Sequence, residues 1–432
     1  MHDLGRWQWL LKYPQRIECE RMVLLGDDFE RPVCIGPGHI DLVSPSSFAF
    51  QLSVRRARRR QINERFNRLQ ANPYDGLARF RVQAWDEEGH HWHLGWTIPE
   101  FNHTQEGMHV RGDFEGLSAD VPSKSQLPST KTLYRLGGLK QELSGMLRVS
   151  GATERASHKF ALGQSEVALL FDEAAGLLFA SAIHSNTLQP TYTENWLGEP
   201  LRILLGQLVY PSLVSRDISD GMSHLYLRKT PWLQHTGGIA SYYRHLVTQQ
   251  GLRDFWRCYE ILLEHIAATV GDDGHPNFES NHSTRLVEEI AQAEYLGSRW
   301  ILAMTLASAV ESQAKRLKDT IGYSETSEAQ DDRESLIEQI EALTGNPSLK
   351  RLAISAIQRS VERTTPKILR SLQKAGTISG DQIAAWNRVR NTVVHGNLTS
   401  NYSSKEEDTN ILAMATMFHQ LTQELVPELK SA

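Results

Sequence analysis

The hydrophobic period of this chain changes once, and that change divides it. Over residues 1–230 apolar side chains recur at every second position. Phe48, Phe50, Leu52 and Val54 alternate with Ala49, Gln51 and Ser53, which puts one apolar face on a pleated sheet. Ala78, Phe80, Val82 and Ala84 repeat the pattern, Asp86-Glu87-Glu88-Gly89 interrupts it as a turn, and Trp92, Leu94 and Trp96 resume it; this predicts a hairpin. A second hairpin is expected over Val167–Ala180, turning at Asp172–Gly176, with Leu201–Leu208 as a short helix. After Pro231 and Gly237-Gly238 the period becomes helical. The expected class is therefore α+β: a β-rich domain over 1–235, a helical connector over 236–282 and an all-α bundle over 283–432. The alternation does not choose between a sandwich and an open sheet, and there is no internal repeat.

Within the helical half, Gly271–Pro276 ends a first helical region, 239–270. One long helix is expected from Ser283, as its cap, to Leu317, with Glu288 and Glu289 near its N-terminus. Tyr323–Glu334 is polar and aperiodic, expected to be mobile. Helical patterns follow near 334–344, 347–373 and 381–395. A last one over 409–427 places Ile411, Met414, Phe418, Leu421 and Leu425 on one stripe. Five helices of this length make a bundle.

Composition narrows the function classes. The 432 residues exceed one ordinary core. With 46 Lys and Arg against 51 Asp and Glu, the net charge is −5, which the helical half carries because charges balance over 1–230. No global basic excess advertises a polyanion. Cys19, Cys34 and Cys258 are too few and scattered for a disulfide framework or a CxxC zinc site. The first residues, MHDLGRWQWLLKYP, lack a basic head before an apolar run, and no stretch of about twenty apolar residues occurs. A cytoplasmic chain without membrane spans is expected. The P-loop, HExxH and GxSxG signatures are absent.

The segment richest in chemistry is Asp381–Asn397, DQIAAWNRVRNTVVHGN. Gly380-Asp381 reads as a helix start and Gly396 as its stop. At about 100° per residue, Asn391 and His395 share a face about 40° apart, and Arg390 lies about 140° from His395. The apolar face opposite is Ile383, Trp386, Val389 and Val393. Arg, Asn and His together suit RNA cleavage without a metal. A histidine takes or gives protons near neutrality, and an arginine offers a fork of donors to a charged phosphoryl group. The plainer alternative is a surface arginine and a C-capping histidine.

Arg390-Asn391-Thr392-Val393-Val394-His395-Gly396 resembles the R-N-x-x-x-H-G signature of HEPN domains, small helical bundles that are often metal-independent ribonucleases. Ala293–Trp300, running on to Ala309-Val310-Glu311-Ser312, resembles the first long helix of the Apea-like HEPN subfamily, and the front half more loosely resembles the N-terminal domain of ApeA-type anti-phage proteins. The resemblance implies an endoribonuclease effector of abortive infection, needing no cofactor, with the β-rich half as a sensor of a phage-derived trigger. Arg390 and His395 would be the catalytic pair and Asn391 the polar residue beside them. Glu311 would be the acid orienting one of the pair, the alternative being a solvated glutamate bridged to Lys315. The family also implies a symmetric homodimer facing two motifs across one RNA cleft, and tRNA or bulk mRNA as substrate. A non-catalytic HEPN module that binds nucleotide or RNA is the second reading.

Two further features stand apart. Val54–Arg68 carries Arg55, Arg56, Arg58, Arg59, Arg60, Arg65 and Arg68. It is a grip for RNA phosphates or an acidic partner, or a solvated strand-to-helix connection. His90, His91 and His93 lack neighbouring cysteines, so exposed hairpin histidines are a better reading than a zinc site.

Overall fold

The computed structural model describes every residue except 1, 27–30, 106, 124, 126, 137–156, 218–220, 232–237, 251–253, 271–280, 319–326, 361–363, 395–403 and 432. The chain divides into two compact units, Met1–Glu288 and Glu289–Ala432.

The first unit is built on one antiparallel sheet of 15 described strands. In chain order they are β1 Gln15–Leu25, β2 Cys34–Ser44, β3 Ser47–Val54, β4 Arg56–Ala57, β5 Phe80–Asp86, β6 His91–Thr97, β7 Glu100–Thr104, β8 Gly107–Asp113, β9 Gly116–Pro122, β10 Ser129–Arg135, β11 Ser157–Leu162, β12 Ser165–Asp172, β13 Leu177–Ile183, β14 Pro211–Asp217 and β15 Met222–Arg228. Their order across the sheet is β11-β12-β13-β10-β14-β15-β9-β6-β5-β1-β2-β3-β8-β7, with β4 beside β2. Both expected hairpins form, as β5–β6 and β12–β13. The period-two residues line one buried core: Phe48, Phe50 and Leu52 meet Phe80, Val82, Ala84, Trp92 and Leu94.

Buried carboxylates pin this sheet. Asp86 accepts from the backbone N–H of Glu88 and His90 at 3.0 and 2.8 Å and from Trp92 Nε1 at 2.8 Å, so the β5–β6 turn and the core indole share one anchor. Asp217 accepts from Lys131 Nζ, Ser123 and Ser129 at 2.7 Å each, and from Ser223. Burial alone would raise its pKa, but hydrogen bonds from Lys131, Ser223, Ser123 and Ser129 outweigh that and pull it down to about 2.

Twelve α-helices are described: α1 His2–Gly5, α2 Arg59–Ala71, α3 Thr193–Leu205, α4 Tyr242–Gln250, α5 Phe255–Ala268, α6 His282–Leu296, α7 Arg299–Arg316, α8 Ser327–Ala342, α9 Pro347–Ser360, α10 Thr365–Lys374, α11 Gly380–Val394 and α12 Lys405–Leu425. The short helix expected at Leu201 begins earlier, at Thr193, and packs against α5 and β10. There Tyr134 donates to Glu194 O at 2.6 Å and Tyr259 to Leu197 O at 2.8 Å. Helices α4 and α5, from the stretch read as a connector, fall in the first unit.

Several helical expectations are corrected. The single helix expected over 283–317 is two, α6 and α7. Gly297 lies at the break, and Ser298 begins the second helix by accepting from Ile301 N. The cap of α6 is Asn281, whose Oδ1 accepts from Ser283 N at 2.9 Å, rather than Ser283. Glu288 does not serve the helix dipole but lies 2.7 Å from the buried Arg202. The polar run read as mobile is helical from Ser327, because Glu, Ala, Gln and Arg propagate helix well without an apolar stripe; 319–326 lie outside the described residues. The pattern over 347–373 is α9 and α10, the second opening with Pro366 in its first turn. Seven described helices, not five, therefore occupy 282–425. Among the described residues no helix is long and apolar enough to cross a membrane.

The Asp217 cluster predicts acid sensitivity with a definite sign. Its pKa is depressed, so its contribution is complete above about pH 4 and is lost as pH falls toward 2. Asp217→Asn should cost about 3 kcal/mol at neutral pH by leaving Lys131 without its carboxylate, and should flatten the pH dependence below 4. Urea unfolding between pH 2 and pH 7 reads both.

Candidate functional site

The site is carried by α11, and its start is built by a reciprocal cap. Ser379 N donates to Gln382 Oε1 at 2.6 Å while Gln382 N donates to Ser379 Oγ at 3.2 Å. That is a capping box one residue before the expected Gly380-Asp381 start. Of the predicted apolar face, Ile383, Trp386 and Val389 are buried, and the Val393 side chain lies outside those described. Trp386 is fully enclosed, and its Nε1 donates to Ala307 O of α7 at 3.1 Å. Ala307 stands one helical turn before Glu311, so this bond sets the height of α11 against that acid.

Glu311 and Arg390 consequently meet. Arg390 Nε lies 3.5 Å from Glu311 Oε2, and the guanidinium also sits over the Trp386 ring, 5.6 Å from its centroid. The other carboxylate oxygen lies 2.9 Å from Lys315 Nζ. The lysine alternative and the arginine partner are thus both present, on different oxygens of one carboxylate. The hydrogen bond from Lys315, then its charge and that of Arg390, hold the Glu311 carboxyl below its ordinary range against a smaller opposing effect of burial. The Arg390 side chain is 45% exposed and that of Glu311 29%, so the pair contributes at most about 1 kcal/mol to stability. Its effect is orientation. Asn391 is exposed on the next position of the helix. His395 lies outside the described residues, as do Gly396 and Asn397.

A cleft of about 270 Å³ runs beside α11, its wall mixing charged residues (Arg299, Arg388, Glu406, Glu407) with apolar ones (Val389, Ile411). Its cations are matched: Arg388 lies 2.5 Å from Glu406, and Arg299 is hydrogen-bonded to Asp408. The cleft is therefore not strongly cationic.

The arginine-rich segment is placed in the first unit. Arg55, Arg56, Arg58, Arg59 and Arg60 are all exposed across β4 and the first turn of α2, while the backbone N–H groups of Arg55 and Arg58 donate to Ile35 O and Val33 O. Arg60 is bridged to Glu64 at 2.9 Å. Arg65 serves the fold instead: it is buried and donates to Leu77 O and to Arg79 O. Among the hairpin histidines, His90 bonds Asp86 at 2.9 Å, while His91 and His93 pair their rings at 4.2 Å. Among the described residues no group of three His, Cys, Asp or Glu side chains has metal-binding geometry.

No protein-family model matches the chain, and neither a curated protein nor a solved structure matches it.

Trp386 is the test of this local geometry. Trp386→Ala should destabilise the second unit by about 3–5 kcal/mol through the cavity it leaves. Trp386→Phe should cost about 1–2 kcal/mol, mainly through the lost Nε1 bond to Ala307. Denaturant unfolding separates the two, and a phenylalanine variant as unstable as the alanine one would contradict the hydrogen-bond assignment.

Proposed function

We propose that the chain is a HEPN-type endoribonuclease whose centre is the C-terminal end of α11. The observation that carries the reading is the approach of Arg390 to Glu311 from facing helices, next to the R-N-x-x-x-H-G motif. In this reading His395 takes the proton from a ribose 2′-hydroxyl. The 2′-oxygen then attacks the adjacent phosphorus, the P–O5′ bond breaks, and a proton is returned to the 5′-oxygen. Arg390 donates to the phosphoryl oxygens as their charge grows, Glu311 holds the guanidinium in that orientation, and Asn391 offers a neutral hydrogen-bonding group beside it. The products are a 2′,3′-cyclic phosphate and a 5′-hydroxyl.

The wider proposal is an effector of abortive infection in the cytoplasm, acting on tRNA or mRNA as a homodimer formed through the helical unit. The sheet unit would be the part that senses a phage-derived trigger. The chemistry assigned to Arg390 and His395 needs no metal.

Arg390→Ala and His395→Ala should each slow cleavage of a single-stranded RNA by at least about 100-fold, with EDTA without effect on the wild type. Arg390→Lys should not restore the rate, because a point charge does not replace a two-pronged donor. Thermal unfolding of the Arg390→Ala variant should remain that of the wild type, since its side chain is 45% exposed, and the same measurement on His395→Ala shows whether a lost rate reflects chemistry or folding. Full cleavage by either alanine variant would defeat the proposal, and tight RNA binding without cleavage by the wild type would mark a non-catalytic module.

A further inference from the structure

The two faces of the sheet are unlike each other, and the difference follows from register. On β5 the even positions Phe80, Val82 and Ala84 enter the core, so Arg81, Gln83 and Trp85 face outward. Opposite them on β6 stand Trp96, His93 and His91. Residues 93 and 96 share a face only because the ladder shifts between them, where Gly95 takes a φ of +76°. Across β1 the partner of Trp85 is Arg21, and across β9 the partner of His93 is Ser118, which itself pairs with Tyr226 of β15.

These residues form a ladder of flat groups. The Arg21 guanidinium lies 4.8 Å from the Trp85 centroid, Trp85 stacks on His91 at 4.3 Å and 9°, and His91 meets His93 at 4.2 Å. A second pair, Arg81 over Trp96, is at 4.4 Å, and a third, Arg228 over Tyr226, is at 4.8 Å. Trp96 is 41% and Tyr226 38% exposed. Burial, and for His91 the neighbouring His93, lower the pKa of both hairpin histidines, which keeps them neutral stacking groups at pH 7. Of the acids at this face, Asp120 is hydrogen-bonded to His224, Glu18 lies toward the far end of β1 across from His39, and Glu20 is exposed in the β1 bulge beside Arg21.

We propose that the outer face of β5, β6, β9 and β15, flanked by Arg21 of β1, is a stacking platform for single-stranded nucleic acid. Unstacked bases present flat π faces that aromatic rings and guanidinium planes cover without regard to sequence, and the arginines complement the phosphates between them. Trp85 and Trp96 lie at opposite ends of the β5–β6 pairing, about 13 Å apart along the strands from the rise per residue, so one strand of nucleic acid reaches both. The basic segment before α2 reaches this face through β4, where Arg56 pairs with Ile35 of β2, itself across from Val23 of β1 and so in line with Gln83. Helix α2 itself packs on the opposite, core side, where the Arg65 guanidinium lies over Phe80 and Ile62 is buried. Phosphates leaving the platform there would meet the exposed Arg55–Arg60 run. Cross-strand aromatic pairs also stabilise sheets, so the decisive readout is binding. The proposal stands apart from the nuclease reading, which concerns the other unit.

The test is fluorescence anisotropy with the full-length protein and labelled oligo-dT roughly a dozen nucleotides long, which lacks the 2′-hydroxyl and so cannot be cut by 2′-oxygen attack. The wild type should bind oligo-dT more tightly than a duplex of the same length, with affinity falling as salt rises. Trp85→Ala and Trp96→Ala should each weaken binding about tenfold, with thermal unfolding showing a retained fold. Should the half-buried Trp85 prove necessary for folding, Trp96→Ala with Tyr226→Ala, both on exposed rings, carries the same expectation. Oligo-rU in the Arg390→Ala background, where cleavage is suppressed under the nuclease reading, tells whether RNA or DNA is preferred. A wild type that leaves both oligonucleotides unbound, equal affinity for duplex, or folded variants that bind undiminished would overturn the platform, the first pointing to a protein-docking or purely structural face.

Discussion

The geometry of the candidate site hangs on one indole. Trp386 is wholly buried between α11 and α7, and its single donor is spent on the carbonyl one turn before Glu311. Enclosing a side chain of this size contributes several kcal/mol, whereas the half-exposed Arg390–Glu311 pair contributes a fraction of that. The core interaction therefore decides where the helix sits, and the ion pair reports the result. Arg390, four residues on from Trp386, is carried to Glu311 by helical geometry and steadied by the ring beneath it. The capping box at Ser379 and Gln382 fixes where that helix begins and hence which face each later residue occupies.

In the first unit the equivalent fixed points are carboxylates. Asp86 gathers donors from the β5–β6 turn and from Trp92 of β6, Asp217 from neighbouring strands, and hydrogen bonds to a buried charge are stronger than neutral ones. They lock register, and register has a sharp consequence: a slip of one residue would exchange the core face for the outer face. The same alternation that buries Phe80, Val82 and Ala84 sets Arg81, Gln83 and Trp85 outward in a row. Gly95 adds the one irregularity that brings Trp96 into line with His93. A flat aromatic surface is thus a by-product of building the core correctly, available for a ligand with flat faces of its own.

Much of this was legible in the sequence. The change of hydrophobic period marks the passage from sheet to helices, both hairpins follow from alternation and turn residues, and the apolar stripe of α11 follows from spacing alone. What was hidden depends on partners distant in the chain. Trp92, Phe48 and Phe50 are core, as their alternation implies, but Trp96 is exposed because a glycine bulge shifts the pattern. The 283–317 helix looked continuous because the apolar spacing persists through Gly297-Ser298, while a serine cap interrupts the backbone. Ser379-x-x-Gln382 is a capping signature, masked in the sequence by the adjacent Gly380. Arg65 looked like its six neighbours, and only the fold shows that carbonyls at 77 and 79 claim it. The Lys315 and Arg390 readings of Glu311 competed on paper, yet a carboxylate has two oxygens and serves both.

The proposal that the end of α11 cuts RNA through its 2′-hydroxyl is tested most directly by the identity of the new chain ends. Purified protein incubated with total cellular RNA, with lysate from phage-infected cells added in a parallel reaction, should generate 2′,3′-cyclic phosphate and 5′-hydroxyl ends that are absent when His395→Ala replaces the wild type. New 5′-phosphate ends, or cyclic-phosphate ends that persist undiminished in that variant, would contradict the account.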